Sequence, residues 1–309
     1  MSTPQESPSP TAWAPPRYLP PVEPLGRPDG TLHYSGISYA APSGYRPLLM
    51  DLWTPGDADR PPCVVWIHGG AWYFGDRRYL PETVEPDGVF DALLDAGIAV
   101  ASIDYRLSAE APFPAQLHDT KAAIRYLRHF ADRLNLDPGR IGVWGESAGG
   151  HLAALAALTG GLTELEGEVG VVGPDSSVRV CVDWYGLSDL DMQPDGAPVT
   201  DETAEPEPLY DIIGSLLGSH TREAKRAASP VAYVTADAPP FLLIHGTHDV
   251  VVPATHSELL HEALTQAGTK SELLLVDGAD HIFSGAADIP GLIEASVAFL
   301  TAHLRTPAS

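Results

Sequence analysis

Basic residues are scarce in this chain of 309 residues: 18 lysines and arginines stand against 41 acidic residues, a net charge of −23. A nucleic-acid binder needs a basic footprint, and none is visible, so nucleic acid is excluded as a partner. Anionic membrane surfaces are disfavoured for the same reason, and the acidity reads as a solubility feature. No run of 18 apolar residues exists, so no membrane span is expected. The N-terminal residues lack the basic and apolar regions of a secretory signal, which makes a cytoplasmic location the expectation. Only two cysteines are present, Cys63 and Cys181, each inside an apolar run. Two buried free thiols are expected rather than a disulfide. Metal-ligand patterns are missing too. Among twelve histidines there is no His-x-x-x-His with a nearby acid, and His245-x-x-His248 crosses a strand end, a poor chelate.

What is present has a clear rhythm. Residues 1–24 hold eight prolines and no periodic apolar pattern, and read as an extended arm. The body, residues 25–309, alternates strand-like and helix-like runs. Strands are expected at Leu32–Tyr39, Leu48–Trp53, Val64–His68, Ile98–Tyr105, Ile141–Trp144, Val178–Trp184, Phe241–His245 and Glu272–Val276. Helices are expected at Val89–Ala96, Pro114–Asn135, Ala148–Leu158, Ser257–Ala267 and Leu292–Leu304. This alternation predicts an α/β fold, a mainly parallel sheet covered by helices on both faces. Residues 187–229 break the rhythm with an acidic, proline-containing stretch followed by a helical piece, Leu209–Leu217. They lie after a strand's carboxyl end and read as a cap insertion.

Three sequence features carry chemistry. Gly145-Glu146-Ser147-Ala148-Gly149 fits Gly-x-Ser-x-Gly between a strand and a helix. There a serine sits on a strained turn with its hydroxyl above the sheet edge, and glycines two before and two after remove colliding β-carbons. His68-Gly69-Gly70-Ala71-Trp72 follows a strand and suits an oxyanion loop. The expected donors are the N–H groups of Gly70, Ala71 and Ala148, and losing one such donor typically costs ~3 kcal/mol. His68, Gly69 and Glu146 are read as loop support. Downstream, Asp249 follows one strand and His281 another. His281 is then the general base for Ser147, and Asp249 orients its imidazole. Asp280 is a weaker candidate acid because it adjoins His281. His245 reads as a packed core histidine, and His248 as a residue near the pocket. Trp72, Tyr73 and Tyr185 could line an apolar pocket or pack the cap.

Together these motifs resemble the α/β-hydrolase esterases related to hormone-sensitive lipase and the bacterial acetylxylan/feruloyl-type esterases. The resemblance rests on Leu48-Leu-Met-Asp-Leu-Trp-Thr-Pro55, the His68–Trp72 loop, Asp104-Tyr-Arg-Leu-Ser-Ala-Glu-Ala-Pro-Phe-Pro114, Gly145–Gly150, and the pair Asp249 and His281. It implies an α/β-hydrolase fold and a serine carboxylesterase that needs no cofactor and acts on small short-acyl or aryl esters. Tyr105, Arg106 and Glu146 would form a polar support behind the elbow. Ala71 departs from the third glycine usual in the lipase relatives. Similar loops occur in kynurenine formamidase-like members, so an arylformamidase or amidase stays open, and so does a non-catalytic ligand-binding protein on the same fold. A homodimer is compatible with the sequence.

Overall fold

The computed structural model describes residues 16–85, 88–192 and 208–305. Most of the proline-rich arm and residues 193–207 of the expected insertion lie outside the described residues. Nine strands form one sheet in the order β1-β2-β3-β5-β4-β6-β7-β8-β9. The first three are β1 (Leu25–Gly26), β2 (Leu32–Ala40) and β3 (Leu48–Thr54), paired antiparallel, with β3 also antiparallel to β5 (Ala99–Ile103). From β5 onward every pairing is parallel, through β4 (Cys63–Ile67), β6 (Ile141–Glu146), β7 (Cys181–Trp184), β8 (Phe241–Gly246) and β9 (Ser271–Val276). This is the mainly parallel sheet expected from the alternation of elements, preceded by an antiparallel start.

Strand residues alternate strictly between two cores, as a period of two requires. Val65, Ile67, Ala101, Val143, Cys181 and Leu243 face one side. They pack with α2 (Ala115–His129), α4 (Ala148–Leu158) and α8 (Thr255–Gln266). Val64, Trp66, Val100, Trp144, Val182, Trp184 and Ile244 face the other. They pack with α1 (Gly88–Asp95) and α9 (Ile289–Leu304). The central strands β4 to β8 are buried along their whole length, which is why they read as continuous apolar runs. Both cysteines are free and buried in these strands. No helix among the described residues is long and apolar enough to cross a membrane.

Two local expectations differ from the structure. The helix read as one piece over 114–135 is two, α2 and then α3 (Ala131–Leu134), because Phe130 leaves helical geometry at φ −103°, ψ 16°. The strand expected from Val178 is regular only from Cys181, although Arg179 N–H already donates to Ile141 O at 2.8 Å and Val180 O accepts from Val143 N–H at 3.0 Å. Between β7 and β8 the described chain forms α6 (Pro208–Leu217), α7 (Arg222–Ala227) and one 3-10 turn at Pro230–Tyr233, after the short α5 (Thr163–Glu166). Thr221 caps α7 by accepting from the Ala224 N–H, which satisfies one of its free amides.

Candidate active site

The carboxyl ends of β4, β6, β7, β8 and β9 meet above the sheet, and the loops that leave them build the site. At the end of β6, Ser147 takes φ 54°, ψ −120°, a left-handed turn directly before α4. Holding a non-glycine residue there costs roughly 1–3 kcal/mol. The surroundings enforce it. A Cβ at Gly145 would overlap the carbonyl of Gly149, and one at Gly149 would overlap the carbonyl of Ile67 on β4. The two glycines therefore let the turn close on itself and on the neighbouring strand.

The Ser147 hydroxyl lies 2.9 Å from His281 Nε2. His281 Nδ1 lies 2.7 Å from Asp249 Oδ2, so Nδ1–H donates to the carboxylate and Nε2 is left to accept from serine. The other carboxylate oxygen, Oδ1, accepts from the N–H groups of Val251 (2.9 Å) and Val252 (2.8 Å). Burial alone would raise the pKa of Asp249, but donors from His245, His281 and the backbone pull it down to about 2. Asp280 takes no part: its carboxylate accepts from Ser284 N–H at 2.9 Å and closes the turn that carries His281.

The loop after β4 has three successive left-handed residues, Gly70 (φ 97°), Ala71 (φ 54°) and Trp72 (φ 55°). Gly70 O accepts from Tyr73 N–H and Phe74 N–H, closing the turn. Gly69 N–H is taken by the Glu146 carboxylate. The N–H groups of Gly70, Ala71 and Ala148 have no acceptor among the described residues. His68 is buried, donates from Nδ1 to Gly69 O at 2.7 Å and stacks on Tyr105 with ring centroids 4.3 Å apart. Burial lowers its pKa to about 4, so it is a neutral brace. Tyr105 donates to His68 O at 3.0 Å. Arg106 turns away from the elbow to the buried Asp119 on α2, with its Nη2 2.7 Å from the carboxylate.

Glu146 is buried, and burial pushes its pKa up to about 7 against the pull of the Gly69 N–H and the Tyr185 hydroxyl. A carboxyl with a raised pKa in the fold binds more protons than the unfolded chain between pH 4.5 and 7. Stability therefore falls as pH rises through that window. Replacing Glu146 with glutamine keeps an acceptor for Gly69 but removes the titration. Thermal unfolding is expected to place Glu146→Gln a few degrees above the wild type at pH 8, with the gap closing toward pH 5. Asp183, whose pKa burial likewise raises to about 7, titrates in both proteins, so the difference isolates Glu146.

The three aromatic residues read as pocket candidates separate. Tyr73 is 61% exposed and lines a cleft of about 250 Å³ together with Ala71, Ser108, Asp211, Ile212 and Ser215. Trp72 is buried edge-to-face against His151. Tyr185 is buried, its ring centroid 4.9 Å from that of His281. Helix α6, from the expected insertion, thus forms one wall of the cleft beside Ala71. It is tied to the 105–114 loop by a bond from Phe113 N–H to Leu216 O at 2.8 Å.

The sequence motifs do not mark Asp211, Ile212 and Ser215, which the 3.6-residue repeat of α6 could have flagged, while His245 is the packed, hydrogen-bonded core histidine expected. That histidine sits four residues before Asp249 and is 3.1 Å from the same carboxylate oxygen that His281 contacts. His248, in contrast, is exposed.

Comparison with known proteins agrees with this architecture. The chain is 32% identical over 88% of its length to esterase LipC of Mycobacterium tuberculosis, of which it covers 65%. It spans about half to two thirds of the length of the curated mycobacterial relatives it matches. Among solved structures, a truncated carbohydrate esterase from gut microbiota superimposes with a TM-score of 0.79 at 30% identity, covering 91% of this chain and 99% of that one. An esterase from Thermogutta terrifontis superimposes with a TM-score of 0.69 at 25% identity, over 90% and 97% of the two chains. Residues 50–264 match the BD-FAE family, and with its α/β-hydrolase fold and relatives named esterases the chain belongs to that family.

Proposed function

We propose that this protein is a serine carboxylesterase that hydrolyses small esters through an acyl-enzyme. The observation that carries the reading is the unbroken hydrogen-bonded chain Ser147–His281–Asp249. Ser147 attacks the ester carbonyl as His281 Nε2 takes its proton. The carbonyl oxygen becomes an oxyanion that the N–H groups of Gly70, Ala71 and Ala148 receive. His281 then gives the proton to the departing alcohol. Water, activated by the same imidazole, releases the acid and restores Ser147. Asp249 stays ionised throughout and stabilises the imidazolium.

A small substrate is favoured by size. The cleft beside Ala71, about 250 Å³, lies below the usual range for drug-sized ligands. The Thermogutta terrifontis esterase was solved with propionate bound, in keeping with a short acyl group. A panel of p-nitrophenyl esters tests this reading. We expect kcat/KM to be highest for acetate to butyrate and to fall at least ten-fold by octanoate. Preference for octanoate would overturn the short-acyl assignment, and faster turnover of N-formylkynurenine than of any ester would favour the formamidase alternative. Tight binding of these compounds with no turnover would point to the ligand-binding alternative.

A further inference from the structure

We propose that His245 is a positioning residue of the active site, sharing the Asp249 carboxylate with His281 and so setting the basicity of the imidazole that faces Ser147. The inference rests on the serine-esterase reading above. Asp249 Oδ2 has two imidazoles on it, His281 Nδ1 at 2.7 Å and His245 Nε2 at 3.1 Å. The same His245 nitrogen is 2.8 Å from the carbonyl of Val252, which can only accept, so Nε2 carries a proton. His245 Nδ1 is 2.7 Å from the Ser257 hydroxyl on α8, which holds the opposite nitrogen. The tautomer is thus fixed from both sides, and the ring is fully buried. Two more N–H donors hold Oδ1, so the carboxylate is gripped by four donors, one of which His281 supplies.

The consequence concerns charge. A carboxylate that shares its lone pairs with a second donor presents less negative charge to the first. With His245 in place, Asp249 orients His281 without over-stabilising its cation. Without it, the full charge of Oδ2 falls on His281, and the imidazolium persists to higher pH. The ionisable groups around the pair are few. His245 acts on Asp183 of β7 and on His256 of α8, and His151 of α4 acts on His256 as well. Tyr185 packs against both imidazoles, 4.9 Å from His281 and 6.4 Å from His245 between ring centroids. Glu146 and Tyr79 act on Tyr185 from behind.

The test compares His245→Met, of similar volume with no N–H, with His245→Gln, which keeps an N–H near the Nε2 position. Hydrolysis of p-nitrophenyl acetate is measured from pH 5 to 9, and Tm beside it. For His245→Met, kcat should fall about ten-fold, because the carboxylate loses one of the donors that fix its position and His281 spends less time in the orientation that reaches Ser147, with KM changed less than about two-fold. The acid limb of kcat/KM should move up by about half a pH unit or more, and His245→Gln should restore both. Wild-type kcat and an unmoved limb in His245→Met would reduce His245 to core packing, as would equal behaviour of the two variants.

If His245→Met fails to fold, Ser257→Ala removes the hydroxyl that holds the tautomer and should move the limb in the same direction. An unmoved limb there would overturn the idea. Titration of His281 followed by proton NMR gives the same comparison without turnover, an upward midpoint being expected. Failure of the esterase reading looks different, because the wild type would then show no Ser147-dependent hydrolysis at all.

Discussion

Replacement of Ser147 by alanine is expected to lower kcat for p-nitrophenyl acetate by about six orders of magnitude while leaving the protein folded. Loss of a serine nucleophile costs on that order because no other group attacks in its place. The oxyanion donors remain, so a residual ~10³-fold acceleration over water should survive. Folding is retained because alanine replaces a hydroxyl that bonds only His281 among the described residues, and because Gly145 and Gly149 still relieve the turn. A phosphonate ester should add its mass to the wild-type peptide that contains Ser147 and to no peptide of the variant. Activity above about one hundredth of wild type, with contamination excluded, would remove Ser147 from its assigned role.

Asp249→Asn should follow with a drop of about four orders of magnitude in kcat. The geometry says why a near-isosteric change does so much. Oδ1 accepts from two backbone N–H groups, so the amide oxygen of asparagine takes that place. The amide NH₂ then replaces Oδ2 and faces His281 Nδ1. A donor there forces His281 into the other tautomer, with its proton on Nε2, pointing at the Ser147 hydroxyl it should deprotonate. The imidazolium also loses its counter-charge. Stability changes in parallel. The depressed pKa of Asp249 contributes stability above the unfolded value of 3.8 that is lost as pH falls toward about 2. The variant lacks that acid-sensitive contribution. A kcat within ten-fold of wild type would mean that another group orients His281.

Most of the scaffold was legible because local pattern and long-range order agree. The buried strands β4 to β8 announce themselves as short apolar runs, and α4 begins and ends where the small-residue run does. The Ser147, Asp249 and His281 assignment came from chain order, since each follows a strand end. What could not be read depends on tertiary contacts with no periodic signature. The break at Phe130 interrupts neither the apolar spacing nor the helical propensity around it. Trp72 sits next to the exposed Tyr73 in sequence, yet it turns inward, and both it and Tyr185 do so through a left-handed backbone. His245 looks like one more residue of a buried strand. Only the reversal of the chain over Gly246–Asp249 folds the carboxylate back onto it.

The way the site is distributed along the chain has a kinetic consequence. Ser147 and His281 are 134 residues apart, and His281 and Asp249 are 32 apart, so the reacting atoms meet through contacts of high sequence separation. The turn carrying His281 is held by Phe283, which packs on Trp184 and Tyr185, and Trp184 is in turn bonded to Ser296 on the last helix. Closing such long loops is slow, because the entropy of closure is lost before the contact is gained. Turnover therefore requires those long-range contacts to be complete. Recovery of hydrolysis after dilution from denaturant reports that β6, β8 and β9 have all taken their places, since each carries one member of the Ser147, Asp249 and His281 chain at its end.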